Sequence, residues 1–183
     1  MKNVRSLLAV AVTLSACSGP AAPSGGPGVY TGESNDASQV IAVPAAASDK
    51  TMAAVLAYAK KTGYTEPLAF VTVELKNNGA DKVTNCPIRI VTESGETVEF
   101  SPAMHAIPDM QDLVPTSDVS TYNDGIDLYN SMLNADRALP GATTTALYAA
   151  AHGEIASVKS VFAGTHTEAS FMQGCDQELS KQG

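Results

Sequence analysis

Leu68-Ala69-Phe70-Val71-Thr72-Val73-Glu74-Leu75-Lys76 puts Val71, Val73 and Leu75 on one side of an extended chain and Phe70, Thr72 and Glu74 on the other. Successive side chains of a strand point to opposite faces, and β-branched and aromatic residues suit a pleated surface. The alternation therefore predicts a half-buried strand. Asn77-Asn78-Gly79 ends it with residues that tolerate a turn. Downstream, Cys86 to Thr92 predicts a second strand with Ile88 and Ile90 on one face. Glu93-Ser94-Gly95-Glu96 is a tight turn, and Thr97 to Phe100 is the partner strand, with Val98 and Phe100 on its inner face. After Pro140-Gly141, three more extended stretches follow: Thr143 to Ala151, Ile155 to Ala163, and His166 to Met172 with Phe171 inward. Short strands divided by turns indicate an antiparallel β-sandwich.

Upstream, Val40-Ile41-Ala42-Val43 before Pro44 reads as a short edge strand. Ser48 and Asp49 offer N-cap oxygens, and Met52, Val55, Leu56 and Ala59 recur at one-face helical spacing. Lys60, Lys61 and Gly63 suit a helix C-terminus. A helix over Asp49–Thr62 is expected, with Leu56 in the core. Between the hairpin and Pro140, Ser101 to Asp124 contains Pro102, Pro108 and Pro115 with little periodicity, and reads as a long irregular connection. Ile126, Tyr129, Met132 and Leu133 then predict a short helix over Asp127–Ala135.

The N-terminus carries a different signal. Lys2 and Arg5 precede the apolar run Ser6 to Thr13. That run is far short of the ~20 apolar residues that cross a bilayer, and it fits a secretory leader ending in small residues. Leu14-Ser15-Ala16-Cys17 resembles the lipobox of bacterial lipoproteins. The resemblance implies transfer of diacylglycerol to the Cys17 sulfur and cleavage before Cys17, with acyl chains as the membrane anchor. Ser18 to Ser38 is dominated by Gly, Pro, Ser and Ala and reads as a flexible tether in which Tyr30 has no assigned role. The expected organisation is residues 1–16 as lipoprotein signal peptide, 17–38 as lipidated cysteine and linker, and 39–183 as one sandwich domain.

The formal charge is −8, with 11 basic and 19 acidic residues, and loss of Lys2 and Arg5 with the leader makes the mature chain more acidic still. Nucleic-acid binding rests on basic side chains, so nucleic acid is not an expected partner. Anionic headgroups repel such a chain, leaving acyl chains to hold it at the extracytoplasmic face of the cell membrane. There are three cysteines. With Cys17 lipidated, Cys86 and Cys175 remain in an oxidising compartment, far apart and without a C-x-x-C motif, and a structural disulfide is expected.

The succession Leu75-Lys76-Asn77-Asn78-Gly79, then the Ser94-Gly95-Glu96 hairpin, then Leu139-Pro140-Gly141 before a long strand, resembles immunoglobulin-like, telokin-like domains of secreted and lipid-anchored bacterial proteins, including small mycobacterial secreted antigens. It covers about Leu68 to Gln173. The resemblance implies an immunoglobulin-like antiparallel β-sandwich, here with an N-terminal helix and a helical insertion. It carries over no catalytic residues.

The chemistry-bearing residues point to binding rather than catalysis. His105, His152 and His166 lack metal-ligand spacing. Met104-His105 with Met110 offers soft ligands for Cu(I), and Asp109, Asp112, Asp118, Asp124 and Asp127 offer hard oxygens for Ca²⁺. The expected state of both groups is ordinary: inward-packed methionines and a solvated acidic loop, with no metal or cofactor. No G-x-S-x-G elbow or phosphate-cradling Gly-rich loop occurs. The leading expectation is a non-enzymatic envelope domain that binds another envelope or secreted protein. The alternative is a small-ligand or metal-ion carrier using the 101–127 insertion.

Overall fold

The computed structural model describes residues 27–170 and 174–183. Cys17, the lipobox and residues 17–26 of the expected tether lie outside the described residues, as do Phe171 and Met172. The elements are β1 Gly28–Ser34, β2 Ala37–Val43, α1 Lys50–Thr62, β3 Leu68–Asn77, β4 Val83–Asn85, β5 Ile88–Val91 and β6 Thr97–Pro102. A 3-10 turn over Ala103–Ala106, α2 Ile107–Gln111, α3 Val119–Met132 and β7 Arg137–Ala138 follow, then β8 Thr143–Ala151, β9 Ser160–Ala163, β10 Thr165–His166, β11 Gln177–Glu178 and β12 Ser180–Lys181.

β3 is the axis the sequence suggested. It lies between β2 and β8, pairing from Ala42↔Thr72 on one side and from Leu68↔Ala151 to Lys76↔Thr143 on the other. The main sheet runs β11-β9-β5-β6-β8-β3-β2-β1-β12, antiparallel throughout. β6 and β8 meet only at Ser101↔Ala149 and Pro102↔Tyr148, so the sheet turns a corner there. The layer β1-β2-β3-β8 thereby folds against the layer β6-β5-β9. Opposite that corner, β11 pairs with β9 while β12 pairs with β1, so one terminal segment nearly closes the sheet. A mainly-β, sandwich-like architecture is the result. Between the layers lie Ile41, Val71 and Val73 from one side and Ile88, Ile90, Phe100 and Val161 from the other. Each such fully buried side chain is worth about 1.5–3 kcal/mol. A small sheet, β10-β4-β7, covers one end.

The structure departs from the expected organisation at several points. Gly28–Ser34, assigned to the linker, is a strand that forms a hairpin with β2 over seven paired positions, from Gly28↔Val43 to Ser34↔Ala37. Its turn is Asn35-Asp36, both at positive φ (48° and 57°), the conformation that matches strand twist in two-residue hairpins. Tyr30 is 2% exposed and belongs to the interlayer core. With β1 outside it, Val40–Val43 is an inner strand, not an edge.

The strand expected over Cys86–Thr92 is β5, Ile88–Val91; a separate short strand, β4, precedes it, because the chain leaves the small sheet at Asn85 and joins the main sheet at Ile88. Ile155 to Ala163 is strand only from Ser160, and His166 to Met172 pairs only at Thr165–His166 among the described residues. The supposed irregular connection is helical over most of its length. α3 begins at Val119, eight residues before the expected start, because Asp118 caps it: its Oδ1 accepts the Thr121 N–H at 3.0 Å.

α1 spans Lys50–Thr62 as expected. Asp49 Oδ1 accepts the Met52 N–H at 3.0 Å, and Gly63 (φ 78°) closes the C-terminus by donating to Ala59 and Lys60 carbonyls. Val55, Tyr58 and Ala59 are its buried residues; Leu56 is 45% exposed rather than core. Cys86 and Cys175 are joined by a disulfide with Cα atoms 5.4 Å apart. Beside it, Arg89 pairs with Asp176 and lies 4.7 Å over the Phe162 ring. Leu179, between β11 and β12, enters the interlayer core, and Gly32 of β1 leaves the space it fills: a Cβ there would collide with the Leu179 side chain. Among the described residues no helix is long and apolar enough to cross a membrane.

Candidate functional site

The outer face of the β3–β8 pair is apolar as well as the inner one. Phe70, Leu147 and Ala149 point away from the sandwich interior, and the three helices cover them. Val55 and Tyr58 of α1, Met104 from the 3-10 turn, Ile107 and Met110 of α2 and Met132 of α3 complete this second core. The helices pack closely because α3 places Gly125 against α1. A Cβ at position 125 would run into the Tyr58 hydroxyl and lie 2.8 Å from Gln111 Nε2.

Packing spends only one side of α3. Thr121, Gly125 and Met132 are buried, whereas Val119, Tyr122 and Ile126, at i, i+3 and i+7, are 61%, 49% and 40% exposed. One face of a helix recurs at this spacing, so the three form a continuous stripe about two turns long. At its N-terminal end is a groove of about 400 Å³ lined by Gln111, Asp112, Val114, Pro115, Val119 and Tyr122. Leu113, next to the groove wall, is also half exposed. Single exposed apolar residues are ordinary; a contiguous set beside a groove is a surface that a partner could cover.

The surroundings are acidic. Asp112 stands in the groove wall, and Asp118 lies between the groove residues Thr116 and Val119. Hydrogen bonds from Thr121 hold the Asp118 carboxyl below its usual range, so it is ionised at neutral pH. Asp124 pairs with Lys61 of α1. That pairing raises the Lys61 pKa, and the Asp124 charge adds to burial in raising the Tyr58 phenol.

The proposed ligand residues come together only in part. Met104 and Met110 are in the helical core, 7% and 0% exposed, while His105 is exposed on the 3-10 turn. His152 follows β8, where its Nε2 meets Glu96 Oε1 at 3.2 Å; the Gly153 carbonyl and Glu96 raise its pKa. His166 is in β10. Among the described residues no three His, Cys, Asp or Glu side chains are grouped to hold a metal ion. Sequence reasoning missed the stripe itself. The signal was present: Asp118 as a cap followed by Val119, Tyr122 and Ile126.

Two other features have the outline of a site. An apolar groove of about 320 Å³ runs between α1 and the β2–β3 end, with Pro44, Met52, Leu56, Phe70 and Ile155 in its lining. Deep at the other end, Gln39 Nε2 donates to Asn85 Oδ1 at 2.7 Å and to the Gly164 carbonyl at 3.0 Å. That orientation leaves Asn85 Nδ2 without a hydrogen-bond partner, along with Tyr148 Oη and Asp136 Oδ1. Asn85 and Asp136 both act on the Tyr148 phenol, so the three groups share one neighbourhood. Donor, hydroxyl and carboxylate complement one another and are shut away from solvent, which marks a structural polar cluster rather than a ligand site.

Comparison with family models, curated protein sequences and solved structures finds no match.

Proposed function

We propose that the chain is a lipid-anchored extracytoplasmic domain of the cell envelope that binds a protein partner through its α2–α3 face. The observation that carries this reading is the exposed stripe Val119, Tyr122 and Ile126 on a helix whose neighbouring side, Thr121, Gly125 and Met132, is buried in the core. A partner covering the three gains roughly 1.5–3 kcal/mol for each side chain fully buried, against the rotational and translational cost of association. Because packing already orders α3, little further ordering is required. The lipobox supports the anchor at Cys17, and the chain's acidity argues against nucleic acid as the partner.

An immunoglobulin-like classification belongs to the same reading. Its support is a four-strand layer facing a three-strand layer, with the chain crossing between layers from β3 to β5 and from β8 to β9. The β1-β2-β3 meander within one layer is this chain's departure from a minimal sandwich of that kind. A small-ligand carrier would use the Gln111–Tyr122 groove of the same face.

Affinity capture from detergent-solubilised native membranes separates the readings. Wild-type protein is expected to retain a partner that a doubly substituted Val119→Ser, Ile126→Ser chain loses, both variants melting at similar temperatures. Equal retention by the two would overturn the assignment of the face, and mass spectrometry of the same material would read the thioether on Cys17. An unmodified Cys17 in the mature chain removes the anchor.

A further inference from the structure

Resting on that reading, we infer that the α2–α3 face takes a cationic amphipathic helix of the partner protein. The stripe from Val119 to Ile126 covers eight residues, seven steps or about 10 Å of helix. Two turns of a partner helix presenting apolar residues at i, i+3 or i+4, and i+7 match that length, the usual mode when a helix lies in an apolar groove.

The charge says what flanks the apolar positions. From Ser101 to Ala135 the chain has no Lys or Arg, while Asp109, Asp112, Asp118, Asp124 and Asp127 all fall within it. Lys61 reaches across from α1 to pair with Asp124, and its charge also acts on Asp118. Among the described residues no cation pairs with Asp109, Asp112, Asp118 or Asp127. A neutral or acidic partner would bring no counter-charge to these carboxylates, and an acidic one would be repelled. Lys or Arg flanking an apolar strip would answer them, which steers encounter and fixes orientation. The same carboxylates disfavour a bilayer, because interfacial helices hold to membranes with Lys and Arg on the polar face.

Three synthetic 18-residue helical peptides test the inference against the intact mature protein by NMR titration. One carries Leu at the apolar positions and Lys elsewhere, one Leu with Glu, one Ser with Lys. The Leu/Lys peptide is expected to bind with amide shifts confined to α2, α3 and their connection. Its affinity should exceed that of each control by about tenfold or more, and should fall as salt screens the carboxylates. The doubly substituted Asp112→Asn, Asp127→Asn protein is expected to bind it more weakly and with less salt dependence. Equal binding of the Leu/Glu peptide overturns the cationic class; equal binding of the Ser/Lys peptide overturns the stripe as its seat. Shifts mapping elsewhere, or stronger response to phosphatidylcholine vesicles than to any peptide, overturn the inference. If it fails while the Val119 and Ile126 variant still loses a native partner, the interaction reading stands and only the class of partner is wrong.

Discussion

Tyr148 shows how much a single side chain can settle. Its ring fills the interlayer core at 0% exposure, and its hydroxyl has no hydrogen-bond partner. Burial, reinforced by the Asp136 charge and partly offset by Asn85, pushes the phenol far above its ordinary value of 10.0. The folded protein therefore keeps a proton that the unfolded chain releases. The sign follows: this group leaves stability unchanged below about pH 10 and erodes it as pH rises above that value toward the raised folded pKa. Tyr148→Phe is expected to cost no more than about 1 kcal/mol at neutral pH, since a hydroxyl without a partner contributes little. It should also flatten the alkaline loss of stability relative to wild type, measured by urea unfolding from pH 8 to 11. A parallel slope in the two proteins would show that Tyr148 ionises as freely folded as unfolded. At the residue scale, period-two alternation was legible from sequence: Val71, Val73, Ile88, Ile90, Val98 and Phe100 are all buried as read. The polar partners were not, since Gln39, Asn85, Asp136 and Tyr148 meet only through tertiary structure.

At the scale of elements, legibility followed local signals. α1 announced itself through Asp49, its apolar spacing and Gly63. α3 was masked by the prolines before it and by a second apolar face, which blurred the single-face pattern expected of a half-buried helix. β1 was masked by composition, because Gly28 and Gly32 look like linker when they are clearance for Lys181 and Leu179. Gly125 is the corresponding clearance within the helical layer. Glycine inside a helix costs about 1 kcal/mol relative to alanine, so Gly125→Ala should stabilise an isolated α3. In this fold the added methyl meets the Tyr58 ring and hydroxyl and Gln111 Nε2. A net loss of about 1–2 kcal/mol is expected from overcrowding, measured by denaturant unfolding. A gain in stability would mean that α1 and α3 are not packed this closely.

For the whole molecule, two devices near the C-terminus complete the sandwich. Leu179 inserts between the layers, and the Cys86–Cys175 disulfide ties residues separated by 89 positions, which constrains the unfolded chain by roughly 4–5 kcal/mol in the loop-entropy account. The pairing was legible because setting Cys17 aside as the expected lipid-attachment residue leaves two of the three cysteines. The near-closure of the sheet was not, because β11 and β12 are two residues each. A scaffold built this way holds the β3–β8 pair rigid, and the pair holds the helices whose outer stripe is the proposed site. The most direct test is photo-crosslinking in intact cells with benzoylphenylalanine placed singly at Tyr122, and at Glu99 on the exposed side of β6 as control. A discrete protein adduct is expected from position 122 and none from position 99. Equal adducts from both positions, or none from 122, would contradict the claim that α3 presents the binding face.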